Sequence, residues 1–88
     1  MNYVYVLKSE KDNGLYIGYT TDLKRRFREH NQKLSLSTKN RGPFKIIYYE
    51  AFSNSTDARN REKYLKSGYG RQQLKDILKG TFKKFSNL

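Results

Sequence analysis

The chain has 88 residues and no cysteine, and its 19 Lys and Arg against 8 Asp and Glu give a formal net charge of +11 at pH 7. This length predicts one domain with a modest core. The lack of cysteine excludes disulfides, thiol metal ligands and a thiol nucleophile. The positive charge predicts a polyanionic partner, with nucleic acid the first choice.

No targeting or membrane signal is visible in the sequence. It contains no apolar run of 18 residues, no signal-peptide pattern and no lipidation motif. We therefore expect a soluble, intracellular, cytoplasmic protein with no membrane partner and no small-molecule cofactor. The oligomeric state is left open.

The first part of the chain predicts a β-hairpin. Residues 2–8 are rich in β-branched and aromatic types, which favours a strand buried on both faces. The Asp-Asn-Gly of residues 12–14 is a turn signal, because Asn and Gly tolerate positive φ. Residues 15–19 then form the returning strand.

The hairpin also predicts which side chains share a face. With an even number of loop residues, Tyr5 and Leu7 lie on the same face as Tyr16 and Gly18. Since Gly18 has no side chain, it leaves a small hollow beside Tyr5.

A helix is predicted over residues 22–33, starting at the N-cap oxygens before Leu23. Leu23, Phe27 and Leu34 form its apolar stripe. Two polar residues lie close to this stripe, His30 at about 40° and Arg26 at about 80°.

Arg26 and His30 therefore point inward, one turn apart, whereas Arg25 lies about 180° from the stripe, toward solvent. An arginine and a histidine held against a core, beside a strand that carries Tyr16, suit a phosphate-binding or proton-positioning role. The alternative is a basic helix that coats its own surface.

A polar loop and a third strand follow. Residues 35–43 include Lys39 and Arg41, which form a basic edge, and Pro43, which opposes regular structure there. Residues 44–52 are nearly continuously apolar and favour a strand in a central or well-covered position.

A second helix is predicted from a cap at residues 54–57 to a stop at Gly68. Glu62 lies between Ala58 and Leu65 on the packing stripe of this helix. A buried carboxylate needs a cation, so Glu62 is expected to meet an arginine, a lysine or a metal ion.

The last predicted elements are a third helix from Gly70 to Gly80 and a loose basic tail over residues 81–88. The domain is then residues 1–80. Its fold class is α/β of the α+β type, a three-stranded, mainly antiparallel sheet with packed helices in the order ββαβαα.

The residues singled out above match a family pattern in both order and spacing. The chain resembles the GIY-YIG nuclease superfamily, in particular the small stand-alone members related to the N-terminal domain of excinuclease C. The match is carried by these residues: Tyr3-Val4-Tyr5, Tyr16-Ile17-Gly18, Arg26, His30 and Glu62.

Two positions depart from the pattern of that family. Tyr3 stands where the first motif glycine is usual. Tyr19 follows the second motif, where excision-repair relatives tend to have lysine. The positive charge with which that lysine would assist catalysis is either missing or supplied by Lys39.

The resemblance implies phosphodiester hydrolysis with one divalent ion, Mg²⁺ or Mn²⁺. It implies that Tyr5 or Tyr16 helps to activate water, that Arg26 holds the scissile phosphate and that His30 orients a tyrosine hydroxyl. Glu62 would bind the ion, as suits a hard cation. The ordinary pKa of tyrosine is about 10, and positive neighbours are needed to lower it toward 7. Arg26 and the ion are the candidates for this effect.

The partner is expected to be nucleic acid, DNA rather than RNA, bound with little sequence specificity. Lys24, Arg25, Lys39 and Arg41 are the candidate docking residues. The alternatives are a non-catalytic nucleic-acid binder that retains the nuclease fold, and a Glu62 that merely neutralises an arginine. Glu62 separates enzyme from binder, because a pure binder gains nothing from a carboxylate beside phosphates.

Overall fold

The structure is a computed structural model that describes residues 1–86, with side chains described as far as Lys83. It confirms the α+β class and the order ββαβαα, and it adds a fourth helix. The elements are β1 Asn2–Ser9, β2 Leu15–Thr20, α1 Leu23–Asn31, β3 Phe44–Phe52, α2 Ser55–Leu65, α3 Gly68–Ile77 and α4 Lys79–Ser86.

The sheet is antiparallel, with strand order β2-β1-β3. The expected burial of β1 on both faces is confirmed, since the side chains from Val4 to Leu7 are at most 1% exposed. β3 was expected in a central or well-covered position and is instead an edge strand. Its apolar run includes Tyr48 and Tyr49, and Tyr49 is 54% exposed, as suits an amphipathic ring at an edge.

The hairpin register is the predicted one. Tyr5 pairs with Gly18, and Leu7 pairs with Tyr16. Asn13 takes a φ of 62° in the turn, the left-handed conformation that asparagine tolerates. The side chains expected on one face are therefore brought together there.

Helices cover both faces of the sheet. On one face, α2, α3 and α4 pack on a core that contains Val4, Val6 and Ile17. On the other face, α1 packs on a smaller core around Tyr5 and Leu7. Because β1 contributes alternate side chains to both cores, its position fixes the two helical layers relative to each other.

Several helix boundaries differ from the prediction. α3 spans Gly68–Ile77, whereas the third helix was expected from Gly70 to Gly80. α1 ends at Asn31, and the chain then turns through Lys33 at a φ of 62°, which leaves Leu34 67% exposed and outside the apolar stripe. Gly68 was expected to stop α2 and instead begins α3, because the side chain of Ser67 caps that helix by accepting from the backbone N–H of Gly70.

The C-terminal end differs from the expected loose tail over residues 81–88. α4 covers Lys79–Ser86, and Leu78 and Phe82 pack against the larger core. Residues 87 and 88 lie outside the described residues. Over residues 1–86, none of the helices combines the length and the apolar character needed to cross a membrane.

Gly18 provides a test of how the side chain of Tyr5 packs against β2. A methyl group at Gly18 would overlap the hydroxyl of Tyr5 and approach the ring of Tyr16. We expect Gly18→Ala to lower the free energy of unfolding by about 1–3 kcal/mol, as overpacking does. Urea denaturation measures this change.

The matched control is Gly80→Ala, because the methyl group it adds in α4 meets nothing within 4 Å in the described part of the chain apart from its own helix backbone and chain neighbours. This control should leave stability unchanged or raise it by up to about 1 kcal/mol. Equal stability of wild type and Gly18→Ala would show that the hydroxyl of Tyr5 does not fill the space beside Gly18.

Candidate active site

The centre of the candidate site is a buried hydrogen bond between β1 and α1. The hydroxyl of Tyr5 lies 2.8 Å from Nε2 of His30. Tyr5 is 1% exposed and His30 is fully buried. The predicted inward orientation of His30 is thus observed, and the tyrosine it meets is Tyr5.

The second ring nitrogen of His30 meets a residue that the sequence analysis missed. Nδ1 of His30 lies 2.6 Å from Oγ1 of Thr38, which is fully buried. A threonine in a polar loop carries no periodic signal. The only hint in the sequence is that a buried histidine needs partners for both nitrogens.

The loop that carries Thr38 is tied to the β1–β2 hairpin. The guanidinium of Arg41 donates to both carboxylate oxygens of Asp12, at 2.8 and 3.2 Å. The hydroxyl of Ser9 donates to the backbone oxygen of Arg41 at 2.6 Å. Hydrogen bonding to Arg41 also holds the pKa of Asp12 well below its usual range. These contacts keep Thr38 in place beside the histidine.

His30 is neutral at physiological pH. Burial lowers its pKa to about 4, and the nearby positive charge of Arg26 adds to this effect. A neutral imidazole carries one N–H, so one ring nitrogen donates and the other accepts. In one arrangement Tyr5 donates to Nε2 and Nδ1–H donates to Thr38; in the other, both bonds are reversed.

Tyr5 is also neutral. Burial, with a smaller contribution from Tyr16, raises the pKa of Tyr5 to about 12, although Arg26 acts in the opposite direction. Arg26 was a candidate for bringing a tyrosine pKa toward neutrality, and here burial outweighs it. Tyr5 therefore holds its proton at pH 7.

Tyr16 completes an aromatic cluster on the same sheet face. The centroid of its ring lies 4.9 Å from that of His30 and 6.3 Å from that of Tyr5. Tyr16 is half-buried, so its hydroxyl is less restricted than that of Tyr5. The structure brings the two candidate tyrosines together and holds Tyr5 more firmly.

Arg26 lies at the edge of this cluster. Its guanidinium donates to Oε1 of Glu29 at 3.0 Å and to Oγ of Ser35 at 3.3 Å. The side chain of Arg26 is 31% exposed, and that of Arg25 is 57% exposed. The helix geometry expected from the sequence therefore distinguishes the two arginines correctly.

Glu62 reaches the site from α2. Its side chain is 20% exposed, and its carboxylate lies 2.9 Å from Nζ of Lys66. Of the three partners considered for Glu62, the structure shows a lysine, while the carboxylate partner of Arg26 is Glu29. The negative charge of Glu62 makes a small contribution to the raised pKa of Tyr5, so the two groups interact.

Glu62 offers a divalent ion a single carboxylate. Among the described residues, no group of three or more histidine, aspartate or glutamate side chains could hold a metal. Mg²⁺ commonly binds through one or two carboxylates and completes its shell with water and substrate phosphates. Glu62 fits as the single protein ligand of such an ion, provided that the ammonium of Lys66 moves aside.

The candidate docking residues differ in their surroundings. Lys24, Arg25 and Lys39 are exposed. Arg41 is bound to Asp12 and lies over the ring of Phe44, 5.8 Å from its centroid. Arg41 therefore anchors the loop, whatever else it contacts.

The chain is a small α+β domain, in which paired tyrosines lie beside an arginine and a histidine on a sheet between two helical layers. The family model described as the GIY-YIG catalytic domain matches residues 1–75. The chain therefore belongs to the GIY-YIG family.

Its relatives are UPF0213 proteins, small stand-alone members of the family. One from Clostridium perfringens is 44% identical over 78 residues, covering 88% of this chain and 83% of the relative. One from Staphylococcus haemolyticus is 43% identical, covering 86% of this chain and 93% of the relative. The solution NMR structure of a UPF0213 protein from Bacillus halodurans is 35% identical, with a TM-score of 0.58, covering 100% of this chain and 97% of the other.

The neutral state of His30 predicts a pH dependence of stability. The pKa of His30 is about 4 in the folded chain, against 6.5 as its ordinary value, so folding favours the neutral ring. The stability this contributes is complete above pH 6.5 and is lost as the pH falls toward 4. We expect a loss on the order of 1–3 kcal/mol across this window, measured by urea denaturation.

The control is His30→Gln, since His30 is the one histidine in the chain. This variant should be less stable than wild type at pH 7 but nearly insensitive to pH between 7 and 5. A wild-type stability that stays constant over the same range would contradict a buried neutral histidine.

Proposed function

We propose that the protein is a divalent-metal-dependent endonuclease that hydrolyses phosphodiester bonds in nucleic acid, with DNA favoured over RNA. The observation that carries the proposal is the buried Tyr5–His30–Thr38 chain, which places a protonated phenol against a neutral imidazole. Membership of the GIY-YIG family supports a nuclease-type reaction.

Tyr5 is the stronger candidate for activating water. With a pKa of about 12 it is not a preformed phenolate. Its oxygen can nevertheless accept a proton from the attacking water while its own proton passes to Nε2 of His30. For this transfer His30 must accept from Tyr5, so Nδ1–H donates to Thr38. Tyr16, whose ring centroid lies 6.3 Å from that of Tyr5, is the alternative residue for the same task.

Arg26 is assigned to the scissile phosphate. Its bonds to Glu29 and Ser35 use two of the five N–H donors of a guanidinium. The remaining donors are available to phosphate oxygens, and the two occupied ones fix the orientation of the group. A charge fixed in this way stabilises the negative charge that develops on phosphate oxygens in the transition state.

Glu62 is assigned to the divalent ion, Mg²⁺ or Mn²⁺. When bound, the ion would neutralise charge on the phosphate and on the leaving oxygen. In the structure, Nζ of Lys66 lies 2.9 Å from the carboxylate of Glu62. A divalent ion and Lys66 would therefore compete for this carboxylate. The protein contribution is one carboxylate, which leaves substrate oxygens to complete the coordination.

Docking is assigned to the exposed basic side chains. Lys24, Arg25 and Lys39, with Arg41 at the anchored loop, would contact backbone phosphates. Contacts of this kind supply affinity and orientation without reading the bases. Little sequence specificity is expected from them.

One observation favours a second candidate function, a nucleic-acid binder that does not cleave. The Glu62–Lys66 ion pair neutralises the carboxylate without any metal. In a binder this pair would be permanent, and the tyrosines would only pack and stack. The two candidates differ in whether Glu62 takes up a divalent ion.

The test is Glu62→Gln, which keeps the shape of the side chain but removes the charge that holds an ion. Plain, nicked and branched DNA substrates are incubated with Mg²⁺ or Mn²⁺, and with EDTA as the metal-free control. We expect wild type to cleave only with the ion, and the variant to cleave at least roughly 100-fold more slowly, as loss of a catalytic ion implies.

Circular dichroism and DNA binding in EDTA show whether Glu62→Gln keeps its fold and its affinity, as we expect. Cleavage at the wild-type rate would remove Glu62 from the metal site. An unfolded variant would instead make Glu62 a structural partner of Lys66. Absence of ion-dependent cleavage by wild type on every substrate would favour the binder.

A further inference from the structure

An arginine outside the predicted site lies over an aromatic ring of β2. The guanidinium carbon of Arg59, on α2, is 4.2 Å from the centroid of the Tyr19 ring. The hydroxyl of Tyr19 donates to Oδ1 of Asn2 at 2.7 Å, and its ring packs against the larger core. Tyr19 is therefore a fixed platform, and stacking on it restricts an otherwise flexible exposed side chain.

The N–H donors of Arg59 have no acceptor among the described residues. Arg26, Arg41 and Arg61 each donate to a carboxylate at 3.0 Å or less. Arg59, which is exposed, has only its contact with the Tyr19 ring within the described part of the chain. A guanidinium held by its face keeps its edges open, and these edges match the geometry of phosphate oxygens.

Arg59 is carried by the same helix as Glu62. It precedes Glu62 by three residues on α2, so the two side chains project from neighbouring turns on one side of the helix. Its platform, Tyr19, packs on the α2 face of the sheet, and the preceding residue, Gly18, lies against the hydroxyl of Tyr5 on the other face. Arg59 therefore approaches from the α2 side of the sheet, while Arg26 approaches from α1.

We propose that Arg59 binds a backbone phosphate of the nucleic-acid strand on the Glu62 side of the site, and that Tyr19 is its positioning residue. This inference rests on the proposed function and adds a second phosphate contact to it. Arg26 and Arg59 then hold the strand from the two helical layers. Tyr19 contributes through the cation it holds rather than through a charge of its own.

The test measures DNA binding in EDTA, where no cleavage occurs, over a series of salt concentrations. Wild type, Arg59→Ala and Lys75→Ala are compared; Lys75 is an exposed lysine on α3 and controls for the loss of one positive charge. We expect Arg59→Ala to weaken binding roughly five- to tenfold and to reduce the slope of log affinity against log salt by about one unit. Lys75→Ala should change affinity less than about twofold.

The role of Tyr19 is tested with two further variants. Tyr19→Leu removes the platform and should reproduce the binding loss of Arg59→Ala, with no additional loss in the double variant. Tyr19→Phe keeps the ring and should retain most of the affinity. Equal binding by Arg59→Ala and Lys75→Ala, or an unchanged salt slope in Arg59→Ala, would overturn the proposal.

Cleavage with Mg²⁺ is measured in parallel, so that the two proposals can fail separately. If wild type does not cleave but Arg59→Ala lowers the salt slope, the phosphate contact stands and the nuclease assignment fails. If wild type cleaves and Arg59→Ala binds like the control, only the inference about Arg59 fails. Circular dichroism of each variant verifies that binding is compared between folded proteins.

Discussion

The hydrogen bond between the Tyr5 hydroxyl and Nε2 of His30 is the interaction on which the rest of the site depends. It requires β1 at the centre of the sheet, a residue without a side chain at Gly18, and an α1 that turns His30 inward. Burial raises the pKa of the phenol to about 12 and lowers that of the imidazole to about 4. Both groups are therefore neutral near pH 7, and a proton that leaves Tyr5 is accepted by an uncharged ring nitrogen.

The two helical layers contribute different chemistry to this centre. α1 supplies Arg26 and His30 from the face that contains Tyr5, and the loop after it supplies Thr38. α2 packs on the opposite face and supplies Glu62 and Arg59. In the proposed nuclease, the first layer would handle the proton and the scissile phosphate, and the second would hold the ion and an adjacent phosphate.

Local features of the fold were predictable from the sequence, and contacts that depend on tertiary structure were not. Turn chemistry and strand alternation gave the register of Tyr5 with Gly18, and helix periodicity gave the inward direction of His30. The edge position of β3 was missed, because an apolar run does not reveal which strands pair. Thr38 was missed in the same way, since its contact with His30 depends on how the loop after α1 folds back. For Glu62 the sequence left an arginine, a lysine or a metal ion open, and the structure shows Lys66, one turn along the same helix.

The role of the Tyr5 hydroxyl is tested most directly by the single-turnover rate of ion-dependent DNA cleavage. This rate is compared between Tyr5→Phe and Tyr16→Phe. Each variant loses one oxygen and keeps the ring. Tyr5→Phe should lower the rate by roughly 10²–10⁴-fold, the usual contribution of acid–base catalysis, with DNA affinity in EDTA unchanged. Tyr16→Phe should have the smaller effect, because Nε2 of His30 is bonded to the hydroxyl of Tyr5. A Tyr5→Phe variant that cleaves as fast as wild type would contradict the account.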